Sequence, residues 1–88
     1  MKTAYKKKFL KDANKLPDQI KSTILHIAFK QIPDTENIED INSLKKLSGF
    51  KDFYRIRYSG YRIGIAVQQD KVVFFRVLHR KDIYKYFP

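Results

Sequence analysis

The five arginines of this 88-residue chain, Arg55, Arg57, Arg62, Arg76 and Arg80, all fall between positions 55 and 80. Guanidinium groups are planar forks of N–H donors that match phosphate oxygens, so a confined arginine cluster points to a polyanion. Three of them stand in the string RIRYSGYR, from Arg55 to Arg62. Two alternating runs meet there at Ser59-Gly60, a signal for a two-residue hairpin turn. Such a turn sets Tyr58 opposite Tyr61 and Arg57 opposite Arg62. Like charges facing each other across a strand pair are destabilising, so the pairing demands a reason beyond stability of the fold.

The charge around this cluster is uneven. The net charge is +10, with a balance of +2 over residues 1–44 and +8 over residues 45–88. There is no cysteine, which excludes disulfides and thiolate metal sites. No apolar run reaches membrane-spanning length. The basic start MKTAYKKKF is not followed by the apolar stretch of a signal peptide. A single domain over residues 1–88, soluble and cytoplasmic, is expected.

The elements that must position the arginines can be read from periodicity. Residues 2–5 suit a short first strand. From Lys6 the pattern is helical, with Phe9, Leu10, Ala13 and Leu16 on one stripe. Pro17 ends that helix or opens a second, whose apolar face holds Ile20, Ile24, Ile27 and Phe29, with Leu25 and Ile32 beside them. This second helix is expected to stop before Pro33, and two helices so joined should pair as a hairpin. His26 falls at the core edge or surface. The stretch DTENIEDIN, residues 34–42, reads as a solvated acidic loop.

From Phe53 the period becomes two. Tyr58/Tyr61, Ile56/Ile63 and Tyr54/Ile65 pair on a core face that can bury the helices. Arg55, Arg57 and Arg62 share the opposite face with Gly64 and Ala66, small residues expected to leave an open floor for a ligand. Among aromatic residues, mainly Phe53 lies on that face. The third run, KVVFFRVLHR, is apolar on both faces. A two-residue Gln69-Asp70 turn puts Arg76 on the core face, and a one-residue slip moves it to the arginine face. The expected class is α+β: two N-terminal helices packed on one face of a small twisted antiparallel sheet.

Three strings in order resemble the RelE/ParE superfamily of type II toxins: the LKxLxG lead-in (Leu44, Lys45, Leu47, Gly49), the hairpin from Tyr54 to Ile63, and VxHRKDIY from Val77 to Tyr84. The resemblance covers about half the chain and implies the same RelE-like fold. It further implies an endoribonuclease that cuts mRNA in the ribosomal decoding site, with no metal or other cofactor. The RNA 2′-hydroxyl attacks and leaves a 2′,3′-cyclic phosphate. A cognate antitoxin is the implied protein partner, beside the ribosome and mRNA; no membrane is involved.

By the same resemblance, the catalytic positions fall on Arg55, Arg57, Arg62, Arg80 and Tyr84. RelE has lysines at the positions of Arg55 and Arg57. Arginine does not accept a proton in practice, which leaves Tyr84 or His79 for proton transfer. His79 has an intrinsic pKa near neutrality; taken alone, it reads first as a structural hydrogen-bonding group at the strand end. Arg57, Arg62 and Arg80 are then phosphate and transition-state stabilisers. Arg55, Lys45, Lys46 and Lys81 are expected to bind the RNA backbone. The lysines at 6–8 form a solvated helix face that adds sequence-independent attraction for RNA. With no deep pocket expected, the ribosome would hold the mRNA in shape. Two other functions fit the same strings: a ParE-type DNA gyrase inhibitor, or a non-catalytic basic RNA-binding domain.

Overall fold

A computed structural model describes residues 1–88. In chain order its elements are β1 (Lys2–Tyr5), α1 (Lys7–Asn14), α2 (Asp18–His26), a π-helical turn (Ile27–Gln31) and α3 (Ile32–Asp34). After a short 3-10 turn (Ile38–Asp40) come β2 (Leu44–Lys46), β3 (Phe53–Tyr58), β4 (Tyr61–Gln68), β5 (Lys71–His79) and α4 (Ile83–Tyr86). The strands form one sheet in the order β1-β5-β4-β3-β2. The α+β class expected from the periodicity is the one observed.

The sheet is antiparallel apart from β1, which runs parallel to β5. No tight turn links those two strands, so nothing local imposes antiparallel pairing. The hairpin register is the expected one, with Tyr58 opposite Tyr61, Ile56 opposite Ile63 and Tyr54 opposite Ile65. Ile56, Ile63, Ile65, Phe74 and Val77 of this face meet Phe9 and Ala13 of α1 and Ile24, Ala28 and Ile32 of the second helical stretch.

Leu10 departs from the expected stripe and is 43% exposed, whereas Asp12 is buried. The buried positions of α1 are thus 9, 12 and 13, a narrower i, i+3, i+4 face. Asp12 has a specific task. Pairing between β1 and β5 ends at Tyr5 and Phe74, and beyond it Asp12 Oδ2 accepts a hydrogen bond from the Val77 backbone N–H (3.2 Å). The same carboxylate accepts two more from Arg76, Nε at 2.7 Å and Nη2 at 3.1 Å. This hydrogen bonding holds the Arg76 pKa above its ordinary value.

The two registers open for Arg76 are reconciled by a bulge. The Gln69-Asp70 turn is present, with Gln68 opposite Lys71, yet Ile65 faces Phe74 and Gly64 faces Arg76. Phe75 is the extra residue, and it slips the remainder of β5 by one position. Arg76 therefore shares a row with Gly64 and Arg55.

The second helix does not stop before Pro33; helical backbone continues to Asp34. Ile32 N–H bonds to Ile27 O, five residues back, and the widened turn keeps Ile24, Ala28 and Ile32 on one face. Pro33 lies in the first turn of α3, where a missing N–H costs little. In the stretch 34–42 all four acids are exposed, while Ile41 is buried and Ile38 packs on the core.

The open floor expected at Gly64 and Ala66 is filled. A Cβ at Gly64 would lie 2.5–2.7 Å from three atoms of the Phe87 ring. Phe50, Phe53, Phe75 and Phe87 make edge-on and tilted contacts across this end of the face. The aromatic content of that face is accordingly larger than Phe53 alone.

Asp12→Ala leaves a guanidinium and a strand N–H without their partner and should destabilise the fold by about 2–3 kcal/mol in urea unfolding. A loss within the scatter of ordinary surface substitutions would mean that this carboxylate does not hold the β5 edge.

Candidate functional site

Two rows of side chains on the sheet face away from the helices carry the site. One runs Arg57–Arg62–Leu78, the other Lys45–Arg55–Gly64–Arg76. The opposition of Arg57 and Arg62 inferred from the sequence is present. Arg80 joins them from the end of β5, where its backbone N–H donates to Gly60 O (2.8 Å) and ties it to the hairpin turn. Tyr84 joins them from α4.

The charges that act on Arg62 come from these same residues. Burial lowers its pKa most, followed by the charge of Arg55, with Arg57 and Arg80 lowering it further, while Tyr84 acts in the opposite sense. Arg55, Arg57, Arg80 and Tyr84 therefore all act on Arg62, and the five together form the arginine unit. The ion pairs of the chain are Lys30–Asp34, Asp12–Arg76 and Asp82–Lys85. Asp12 withdraws Arg76 from the cluster; no carboxylate neutralises the other four arginines.

Two of the four are held by backbone oxygens. Arg55 Nη1 donates to Ser43 O (3.0 Å). Arg62 Nη1 donates to Ser59 O (3.1 Å) and Tyr61 O (2.9 Å), which folds it over its own turn. Arg57 and Arg80 are exposed. The cluster thus combines two anchored guanidinium groups with two free to meet an anion, and one phenol.

His79 lies in the row of Tyr58 and Tyr61, on the helix side of the sheet, with its ring edge-on to Tyr61 at 5.5 Å. Its Nδ1 accepts from the Lys81 backbone N–H (3.2 Å), which places the proton of the neutral ring on Nε2. That nitrogen would lie 3.2 Å from a Cβ at Gly60. Gly60 therefore serves close approach of the histidine, while Ser59 takes the left-handed backbone of the turn (φ 53°). Lys45 is on the arginine face and exposed. Lys46 is exposed on the edge strand in the alternate row, with Tyr54. Lys81 is exposed beside Arg80. His26 is also exposed, and Tyr86 lies over Arg76 with its ring 5.5 Å away.

A cavity of about 350 Å³ adjoins the cluster through Arg57, between the helices and β3, lined by Ile27, Ile41, Ile56 and Tyr58 among others. No three His, Asp or Glu side chains gather where they could hold a metal ion. No helix is long and apolar enough to cross a membrane. Sequence reading missed Phe87 beside the cluster; its signal was the i, i+4 apolar pair Ile83/Phe87 flanking Tyr84.

The repulsion within the cluster has a measurable consequence. Arg57→Gln should stabilise the free protein by a few tenths of a kcal/mol at low ionic strength, with the gain shrinking as salt is added. Thermal melting across a salt series reads this directly; a destabilised variant would mean that Arg57 supports the fold.

A family model described as the ParE toxin of the type II toxin–antitoxin system parDE matches residues 4–84. The chain is 40% identical over 89 residues to toxin RelE3 of Methanocaldococcus jannaschii, covering 100% of both. It is similar to a chain in the RelB–RelE antitoxin–toxin complex of Methanococcus jannaschii, with TM-score 0.81 and 39% identity, covering 97% of this chain and 99% of that one. A chain of the RelBE2 complex of Mycobacterium tuberculosis has the same fold, with TM-score 0.70 at 23% identity, covering 90% and 96%.

Proposed function

The chain belongs to the ParE toxin family of type II toxin–antitoxin systems, within the RelE/ParE superfamily, and from that premise we propose that it is a ribosome-dependent, metal-independent mRNA endonuclease. The observation that carries this reading is the un-neutralised unit of Arg55, Arg57, Arg62 and Arg80 with Tyr84 beside it. Cleavage of RNA by its own 2′-hydroxyl needs a phosphorane stabilised, a proton removed from the nucleophile and one returned to the 5′-oxygen. Cations arranged before substrate arrives can stabilise the added negative charge without reorganising.

Arg57 and Arg80, exposed, take the scissile phosphate together with Arg62, whose guanidinium is held by the turn. Arg55, fastened to Ser43 O, steadies the neighbouring backbone phosphate. Lys45 extends that row, and Lys46 and Lys81 add exposed charge for RNA at either side. Tyr84 is the better placed of the two proton-transfer candidates. His79 faces the other side of the sheet with one ring nitrogen already engaged; we assign it to shaping the turn that Arg80 is tied to. The repulsion between Arg57 and Arg62 is relieved when a phosphate, or an acidic antitoxin segment, lies over them.

The expected partner is a RelB-like antitoxin, supported by the RelB–RelE complexes to which this chain is similar. The matching ParE model favours a second reading, inhibition of DNA gyrase. On that reading the arginines would serve binding rather than phosphodiester chemistry.

Primer extension on an mRNA in a purified translation mixture separates the readings. Ribosome-dependent cuts should form with the wild type and fall about 100-fold or more with Arg80→Ala, by loss of a charge-stabilising group. Absence of cuts, together with blocked supercoiling by purified gyrase, would replace the nuclease with the gyrase inhibitor.

A further inference from the structure

Helix α4 has four residues, too few to hold itself together in water, yet it carries the only phenol of the arginine unit. Its placement must come from what it packs on. Ile83 and Phe87 are 0% and 2% exposed, whereas Tyr84 is 57% exposed. The two buried residues are four apart on one side of the turn, with Phe87 N–H bonded to Ile83 O (2.8 Å). The Phe87 ring lies on the bare backbone of Gly64, at a distance that any Cβ there would forbid. Gly64 stands between Arg55 and Arg76 in its row and is two residues from Arg62 on the same face. A second tie acts from the same side: Asp12 fixes Arg76, and the Arg76 guanidinium lies 5.5 Å from the Tyr86 ring centroid.

We propose that Phe87, seated on Gly64, is a positioning residue that holds Tyr84 against the arginine cluster, so that removing the seat disables proton transfer while leaving ribosome binding intact. This rests on the nuclease reading for its catalytic consequence. Gly64 is the reciprocal half of the device: it is glycine because the ring needs the space of a side chain, and its backbone is not in the left-handed region that would otherwise call for glycine.

The test uses the full chain with Phe87→Ala, Phe87→Leu, Gly64→Ala and the Phe87→Ala/Gly64→Ala pair, with Tyr84→Phe as reference. Single-turnover cutting is measured on ribosomes programmed with mRNA. At saturating ribosomes, Phe87→Ala and Gly64→Ala should each cut about 100-fold more slowly, matching Tyr84→Phe, the size of a lost acid–base group. The half-saturating ribosome concentration should stay at the wild-type value, and Phe87→Leu should recover most of the rate. The double variant should be no slower than Phe87→Ala, because the methyl group added by Gly64→Ala then has no ring left to displace.

Amide hydrogen exchange supplies a readout that does not depend on activity. Protection of the Lys85 and Phe87 amides, bonded to Asp82 O and Ile83 O, should be lost in both single alanine variants. The Arg80 amide, bonded to Gly60 O, should keep its protection. Wild-type cutting rates in Phe87→Ala, or loss of protection through the sheet as well, would overturn the proposal. If the wild type cuts no mRNA, the nuclease reading fails. Exchange then decides the anchor alone: selective loss in α4 upholds it and unchanged protection refutes it.

Discussion

The register of the β3–β4 hairpin is the constraint on which the site depends. Tyr58/Tyr61, Ile56/Ile63 and Tyr54/Ile65 face the helices, and a slip of one residue would turn all of them to solvent. Burying an isoleucine contributes about 1.5–3 kcal/mol, whereas a facing pair of like charges costs about 1 kcal/mol or less. The core therefore wins, and Arg57 and Arg62 are held opposite each other whatever their mutual repulsion. A site whose ligand is a phosphodiester gains from that rigidity, because the cations do not need to be assembled when the phosphate arrives.

The same sheet separates the arginine paired with a carboxylate from the four that have none. Arg76 shares a row with Arg55, but the bulge at Phe75 and the carboxylate of Asp12 turn it toward the β5 edge. There it joins α1, the sheet and the ring of Tyr86. The remaining four have no carboxylate partner. Along the face, charge gives way to the ring of Phe87 and its aromatic neighbours, so the cluster has a wet side and a dry side. Arg62 itself folds back over the hairpin turn, and burial is the leading cause of its lowered pKa.

The hairpin was legible because its two faces differ sharply in polarity at period two. The arginines and Tyr84 were legible through the RelE/ParE strings that contain them. The parallel partner of β1 and the strand Leu44–Lys46 were not, since neither is tied to its neighbour by a tight turn with its own residue signature. A bulge adds one residue without altering composition, so the sequence leaves both faces open to Arg76, and only its pairing with Gly64 decides between them. Asp12 was hidden for a different reason: a charged residue on an apolar stripe reads as its edge, and only its distant partners, Arg76 and Val77, explain why it is buried. The aromatic cover over Gly64 joins residues from positions 50, 53, 75 and 87, a non-local contact that periodicity cannot reveal. Pro33 misled because proline ends most helices, and here a widened turn precedes it.

On the proposed reading, a unit built of guanidinium groups and a phenol stabilises charge and moves protons, and the nucleophile comes from the RNA. The most direct measurement is cutting of a ribosome-bound mRNA that carries a single 2′-deoxynucleotide on the 5′ side of the scissile phosphate. Cutting at that bond should vanish and should persist when the deoxynucleotide is moved one position away. Undiminished cutting at the deoxy position would mean that water or a protein group attacks, and would contradict this assignment of the arginine cluster.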